Sequence, residues 1–144
     1  MGKKRIVTAE TGEALHPAQS LEAAAGSKKK LTHGILHIQV TYNNTKITLA
    51  DPQGRVMFWS SAGAAGFSGT KKGTPFAAGR VAELVADKAA AAGLLEAAVK
   101  ISGVGPGRDA SLRALSGRGI VFSALQDITP IPFNGPKPKK PRRV

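Results

Sequence analysis

The order of hydrophobic periodicities along the chain constrains its fold more than any other feature. In residues 35–42 and 45–50, apolar residues recur at alternate positions, as in a β-strand. A pair of asparagines separates the two segments. This pattern is typical of an antiparallel hairpin. A turn at residues 51–54 precedes a third strand, predicted over 55–60, so the chain begins as an antiparallel meander. The more apolar face of the first strand, expected to be the core face, carries Leu36, Ile38, Val40 and Tyr42.

Helices and strands alternate in the rest of the chain. A first helix is predicted over residues 75–92, because Thr74 can cap its start and Gly93 can end it. The same reasoning predicts further strands at 95–101 and 119–126, on either side of a second helix at about 107–116. Strands that are linked through a helix run parallel by right-handed crossover. We therefore expect an α/β fold with a five-stranded mixed sheet and helices that cover it.

Charge and periodicity divide the chain into a domain with two basic ends. There are 21 Lys and Arg residues against 9 Asp and Glu, a formal net charge of +12, which indicates a polyanionic partner. Residues 1–30 lack a lasting periodicity and are predicted to form a flexible basic arm, whereas 31–135 form one domain. Residues 136–144 intersperse proline with Lys and Arg, so this tail is predicted to be extended and disordered in the free protein.

Composition excludes several classes of protein. The absence of cysteine excludes a disulfide framework and a thiolate metal site. No apolar run reaches the roughly 18 to 20 residues that span a bilayer, and the N-terminus lacks the apolar core of a secretory signal. We expect a cytoplasmic protein with no cofactor and no membrane partner.

A glycine turn stands between the predicted fourth strand and the second helix. It contains Gly103, Gly105 and Gly107, followed by Arg108. A dinucleotide fingerprint that began at Gly103 would need glycine at position 108, and the chain has no P-loop sequence. Two interpretations stay open. Backbone N–H groups and an exposed Arg108 side chain could bind a phosphate, or the glycines only permit a sharp turn.

A second loop favours the phosphate interpretation. Lys71 and Lys72 come just before the first helix, so this loop also follows a strand and precedes a helix. We hypothesise that both loops lie at the same edge of the sheet. Two helix N-termini with these lysines and Arg108 would form an extended cationic surface, which suits a nucleic-acid backbone better than a small nucleotide.

Enzymatic activity is not expected. A nuclease would need clustered carboxylates for metal ions, but each candidate has a structural explanation in a turn or on a helix. No histidine has metal-ligand spacing, and no nucleophile elbow occurs. A nuclease with a relocated metal site remains an alternative. The carboxylates concerned are Asp51, Asp87, Asp109 and Asp127.

The aromatic residues do not form the pattern of an RNA-recognition sheet, in which aromatics alternate along a strand motif. Core packing is therefore expected for Trp59 and most of the phenylalanines. Phe67, in the glycine-rich loop, is the exception that is expected to be able to stack or wedge.

Four sequence blocks, in this order, resemble ribosomal protein S11 of the small subunit in its bacterial or organellar form. The resemblance covers about residues 33–144 and leaves the N-terminal 30 residues outside. The blocks are HIQVTYNNT at 37–45, SSAGAAGFSGTKKGTPFAA at 60–78, GVGPGRDASLRAL at 103–115 and DITPIPFNG at 127–135.

The resemblance implies a fold and a place of action. The fold would be a ribonuclease H-like three-layer sandwich without the nuclease carboxylates. The protein would lie on the platform of the small ribosomal subunit, bridge several rRNA helices and contribute to the Shine-Dalgarno cleft. Its partners would be small-subunit rRNA, ribosomal proteins S7 and S18 and the third initiation factor.

The loops, the resemblance and the tail together give a set of candidate RNA-binding residues. A free RNA- or DNA-binding module unconnected to the ribosome remains an alternative. The candidates are Asn43, Asn44, Lys46, Lys71, Lys72, Thr74, Gly105, Gly107, Arg108, Arg113, Lys137, Lys139, Lys140, Arg142 and Arg143.

Overall fold

A five-stranded mixed sheet forms the centre of the protein. A computed structural model describes residues 31–140. The spatial order of the strands is β3-β2-β1-β4-β5, with antiparallel pairing from β1 to β2 and β2 to β3, and parallel pairing from β1 to β4 and β4 to β5. The strands are β1 (His33–Thr41), β2 (Asn44–Ala50), β3 (Val56–Ser61), β4 (Glu96–Gly103) and β5 (Val121–Asp127).

Two α-helices connect the parallel strands, α1 (Pro75–Ala91) and α2 (Gly107–Gly117). Helix α1 starts where the sequence predicts, because the Thr74 hydroxyl accepts a hydrogen bond from the Ala77 N–H at 3.3 Å. The predicted elements are confirmed, with their ends shifted by one or two residues. A 3₁₀ turn, Gly69–Gly73, contains both loop lysines and is not predicted from the sequence.

Both helices cover the same face of the sheet. Leu36, Ile38 and Val40 of β1 are buried in the same cluster as Val81 and Val85 of α1 and Leu115 of α2, and a Cβ at the start of α2 would lie 3.0 Å from the Ala78 side chain of α1. The α/β class, the five strands and the mixed sheet are confirmed. Within residues 31–140 the sheet and its helices form two layers, one fewer than the expected sandwich, because successive right-handed crossovers in one direction along a sheet place both helices on one side.

The two ends of the chain are described only in part. The predicted N-terminal arm lies outside the described residues, as do Arg142 and Arg143 of the predicted tail. Residues 128–140 follow β5 without a regular helix or strand, and most of them are exposed. None of the helices in the described part of the chain is long and apolar enough to cross a bilayer.

Candidate nucleic-acid interface

Three loops come together at the edge of the sheet where β1, β4 and β5 end. The strand register pairs Val40 near the end of β1 with Gly103 at the end of β4, and Ile101 with Asp127 at the end of β5. We use the term loop edge for the β1–β2 turn at 41–44, the loop at 62–74 and the glycine turn at 103–107. The topology thus brings the two predicted loops to one edge, as hypothesised.

The glycine turn packs directly on the end of β1. Gly103 has φ +90°, and a Cβ at this position would collide with the Val40 carbonyl oxygen. A Cβ at Gly105 would lie 2.7 Å from the Thr41 carbonyl oxygen, and one at Gly107 would lie 2.5 Å from the Thr45 hydroxyl. Each distance is shorter than real Cβ contacts, so all three glycines are needed for close packing. This geometry supports the interpretation of the glycines as a structural turn.

Arg108 holds this turn in place from within the protein. Its guanidinium donates hydrogen bonds to the Gly103 carbonyl and to the Asp127 carboxylate, and only 28% of its side chain is exposed. The expectation of an exposed arginine is wrong, since Asp127 lies 19 residues further along the chain and is brought beside Arg108 only by the pairing of β5 with β4.

Thr129 completes the contact between Arg108 and Asp127. The Thr129 hydroxyl and backbone N–H donate to the Asp127 carboxylate at 2.6 and 2.9 Å, and the Gly103 N–H donates to the same hydroxyl at 3.1 Å. The Thr129 hydrogen bonds, with a further one from Arg108, lower the pKa of Asp127 to about 2. These three side chains therefore fasten the glycine turn to the end of β5.

The lysine loop is fastened to the β1–β2 turn. Gly73 passes so close to the backbone of Tyr42 that a Cβ would collide with the Tyr42 carbonyl oxygen. The Thr74 hydroxyl donates to the Lys71 carbonyl at 2.7 Å, so it is engaged within the loop. Lys71 is exposed, Lys72 is half-buried, and neither has a carboxylate within 4.0 Å among residues 31–140. Both ammonium groups are therefore available to an anionic partner.

Two exposed aromatic residues, not predicted from the sequence, lie at the same edge as these lysines. Tyr42 and Phe76 are each 75% exposed at the loop edge, because Tyr42 lies in the turn after β1 and Phe76 in the first turn of α1. The expectation that Tyr42 belongs to the core is wrong. Phe67, the expected wedge, is half-buried against the core and contacts the Phe76 ring edge-on, with centroids 5.9 Å apart. The position of Tyr42 beside the predicted turn and that of Phe76 at the predicted start of a helix were the sequence features that could have indicated their exposure.

The remaining candidates are distributed over several surfaces. Asn43 is exposed in the β1–β2 turn, and the Asn44 N–H donates to the Thr41 hydroxyl at 3.0 Å. Lys46 does not lie at the loop edge, because it projects from the sheet face opposite the helices, with Nζ 5.7 Å from the Trp59 ring centroid. Arg113 is exposed on α2. Of the tail candidates, those within the described residues are exposed: Lys137, Lys139 and Lys140.

The carboxylates do not assemble into a catalytic centre in the described part of the chain. No group of three His, Asp or Glu residues there is placed to hold a metal ion. Asp87 binds Arg118 at 2.6 Å, and the Asp51 carboxylate accepts from the Arg55 N–H. Asp109 is exposed in the first turn of α2, where a negative charge suits the helix dipole.

Comparison with known proteins gives consistent matches. Residues 34–143 match the model of the family described as ribosomal protein S11. The chain is 49% identical to small ribosomal subunit protein uS11c of Adiantum capillus-veneris over 83% of this chain and 92% of the relative. It is 50% identical to uS11 of Rippkaea orientalis over 81% and 90% of the two chains. It is also 50% identical to uS11 of Solibacter usitatus, over 81% and 87%.

Proposed function

Because this chain belongs to the ribosomal protein S11 family, we propose that its loop edge is the surface that binds ribosomal RNA. The family consists of structural proteins of the small ribosomal subunit that are not enzymes, so the protein acts as a ribosomal component and not as a nuclease. A formal net charge of +12 suits a polyanionic partner.

One observation carries this proposal. Lys71 and Lys72, without carboxylate partners among residues 31–140, lie at the same loop edge as the exposed rings of Tyr42 and Phe76, on a loop that Gly73 fastens to the sheet. Lysines bind phosphates as point charges, whereas aromatic rings stack on unpaired bases. A fixed loop also binds at a lower entropic cost than a mobile one.

Arg108 has a positioning role in this proposal. Since its guanidinium is engaged by Gly103 and Asp127, it keeps the glycine turn against the end of β5 and does not reach the RNA as a free cation. The backbone at Gly105, next to Thr41, then forms part of the wall of the RNA-binding edge, whereas Gly107 is buried against Thr45 and Ala78. The RNA contacts come from the neighbouring loops.

In the subunit, we assign the protein to the platform, where it bridges several rRNA helices. The arrangement of three loops and an extended basic segment on one domain suits contact with more than one RNA element. Residues 136–144 would reach the Shine-Dalgarno cleft, and the neighbours would be ribosomal proteins S7 and S18 and the third initiation factor. The ribosome concerned would be cytoplasmic.

Binding of the full chain to deproteinised small-subunit rRNA at a series of salt concentrations tests the proposal. Replacement of Lys71 and Lys72 by alanine should weaken binding and lower the log–log salt slope by about 0.7 to 0.9 for each lost phosphate contact. A matched control replaces Arg55 and Lys88, two exposed cations away from the loop edge, by alanine. An equal loss of slope in both double variants would contradict the assignment of the loop edge.

Co-sedimentation with the small subunit at moderate salt distinguishes a ribosomal component from a free nucleic-acid-binding module. The wild-type protein should remain with the subunit. A protein that binds rRNA but leaves the subunit under these conditions would be a free module.

A further inference from the structure

The sheet face opposite the two helices carries a polar and basic surface. Within the described residues no helix or loop layer covers this face, and we use the term open face for it. The strand register fixes which side chains are neighbours across all five strands. One row contains Trp59, Thr48, His37, Lys100 and Gln126, and the next contains Ser61, Lys46, Gln39 and Ser102.

The charge on the open face has one sign in these two rows. Lys46 and Lys100 are the cations, His37 lies between them, and neither row contains a carboxylate. The nearest carboxylate along β4, that of Glu96, lies 3.2 Å from the His33 imidazole at the other end of the strand. The surface is therefore complementary to an anionic partner and not to a basic one.

Trp59 adds a flat aromatic surface to these cations. It lies on the edge strand β3, 56% of it is exposed, and the Lys46 ammonium stands 5.7 Å from its ring centroid. The expectation that Trp59 packs in the core is wrong, because both helices lie on the other side of the sheet. An exposed ring beside a cation on an open sheet is the combination with which proteins hold unpaired nucleotides, since a base stacks on the ring and a phosphate binds the cation.

The spacing across the sheet suits more than one nucleotide. Lys46 on β2 and Lys100 on β4 are two strands apart. Lys46 is level with Gln39 of β1 and Lys100 with His37, so the two lysines are offset by two residues along the strands. With strands about 4.8 Å apart and a rise of about 3.3 Å per residue, their Cα atoms are separated by roughly 12 Å. An acidic protein could also bind these two lysines. The Trp59 ring, which lies between Lys46 and the sheet edge, offers a flat surface that suits stacking of a base better than contact with a carboxylate side chain.

We propose that the open face is a second RNA-binding surface, which takes unpaired nucleotides of small-subunit rRNA with a base on Trp59 and phosphates at Lys46 and Lys100. This inference rests on the proposed function for the identity of the partner. It concerns a different surface, because the loop edge consists of turns and loops beyond the strand ends, whereas the open face consists of strand side chains on the side of the sheet opposite the helices.

Trp59 is the only tryptophan of the chain, so its intrinsic fluorescence reports on this face alone. We expect acrylamide to quench Trp59 readily in the free full-length protein and several-fold less in its complex with deproteinised small-subunit rRNA. With a labelled single-stranded 12-mer RNA, Trp59→Ala should lower the affinity about tenfold, whereas Trp59→Phe should retain most of it, since stacking survives. Lys100→Gln should lower the salt slope by about 0.7, and the control Lys88→Gln, on the helix layer, should affect it less.

Three results would overturn the inference. Trp59 that stays as accessible in the rRNA complex as in the free protein would exclude the open face, while the proposed function would stand if the Lys71 and Lys72 variant still binds more weakly. Protection that arises only when other small-subunit proteins are added would assign the face to a protein partner. Failure of the wild-type chain to bind rRNA at all would remove the proposed function and this inference together.

Discussion

Replacement of Gly103 by alanine should destabilise the fold severely, although it adds only one methyl group. Gly103 has φ +90°, a conformation that costs a residue with a side chain about 1–2 kcal/mol. The new Cβ would stand well inside 3.0 Å of the Val40 carbonyl oxygen, and relief of such a collision in a packed structure costs about 1–3 kcal/mol. If the two backbones separate, a hydrogen bond of the β1–β4 ladder is lost at about 1 kcal/mol.

These contributions sum to about 3–6 kcal/mol, a large part of the about 5–15 kcal/mol that stabilises a typical domain. At roughly 4–8 °C for each kcal/mol, the melting temperature should fall by at least about 12 °C. Thermal unfolding followed by circular dichroism measures this fall.

Gly79→Ala is the matched control for this experiment. Gly79 lies inside α1, and nothing stands within 4 Å of a Cβ at that position. The same chemical change should therefore stabilise the protein by about 0.5–1 kcal/mol, because alanine favours a helix. A Gly103→Ala protein that melts within about 3 °C of the wild type would refute the reasoning on close packing.

Three further predictions concern Arg108, Asp127 and the C-terminal tail. Arg108→Ala should lower the melting temperature as well as weaken rRNA binding, because it releases the glycine turn; an unchanged melting temperature would return Arg108 to the role of a free RNA ligand. The pKa of Asp127 is lowered from 3.8 to about 2, so its stabilising contribution is complete above pH 4 and is lost as the pH falls towards 2; in Thr129→Val, acid unfolding should show less of this dependence. Deletion of residues 136–144 should leave the melting temperature unchanged and impair stable incorporation into the subunit or initiation on leadered messages; normal incorporation and initiation at physiological salt would reduce the tail to an aid to solubility.

The fate of Arg108 shows what a local pattern leaves open. Strand, glycine turn, helix and an arginine at the helix start are all visible in the sequence, and they suggested an exposed phosphate ligand. The partner that engages this arginine, Asp127, lies at the end of the next strand along the chain. No spacing rule connects the two residues, because their meeting depends on the pairing of β4 with β5.

Trp59 shows the same difficulty for burial. A strand of this sheet has one face towards the core and one towards solvent. The sequence of β3, an edge strand with a register irregularity, does not reveal on which face an aromatic side chain lies. The side that becomes free is decided by the placement of α1 and α2, both of which cover the opposite face. The exposure of the Trp59 ring therefore depends on where the helices dock, which the strand sequence does not specify.

The sequence by itself determined the helices and strands, their order and the basic character of the protein. Periodicity, caps and turns are properties of neighbouring residues, and net charge is a property of the composition. It also identified the family, through four long blocks in order. The tertiary structure decided which charges are engaged, which aromatic rings are exposed and which face of the sheet stays open. These properties depend on contacts between residues far apart in the chain, such as Gly73 with Tyr42 and Arg108 with Asp127, and such contacts arise only when the strands pair and the helices dock.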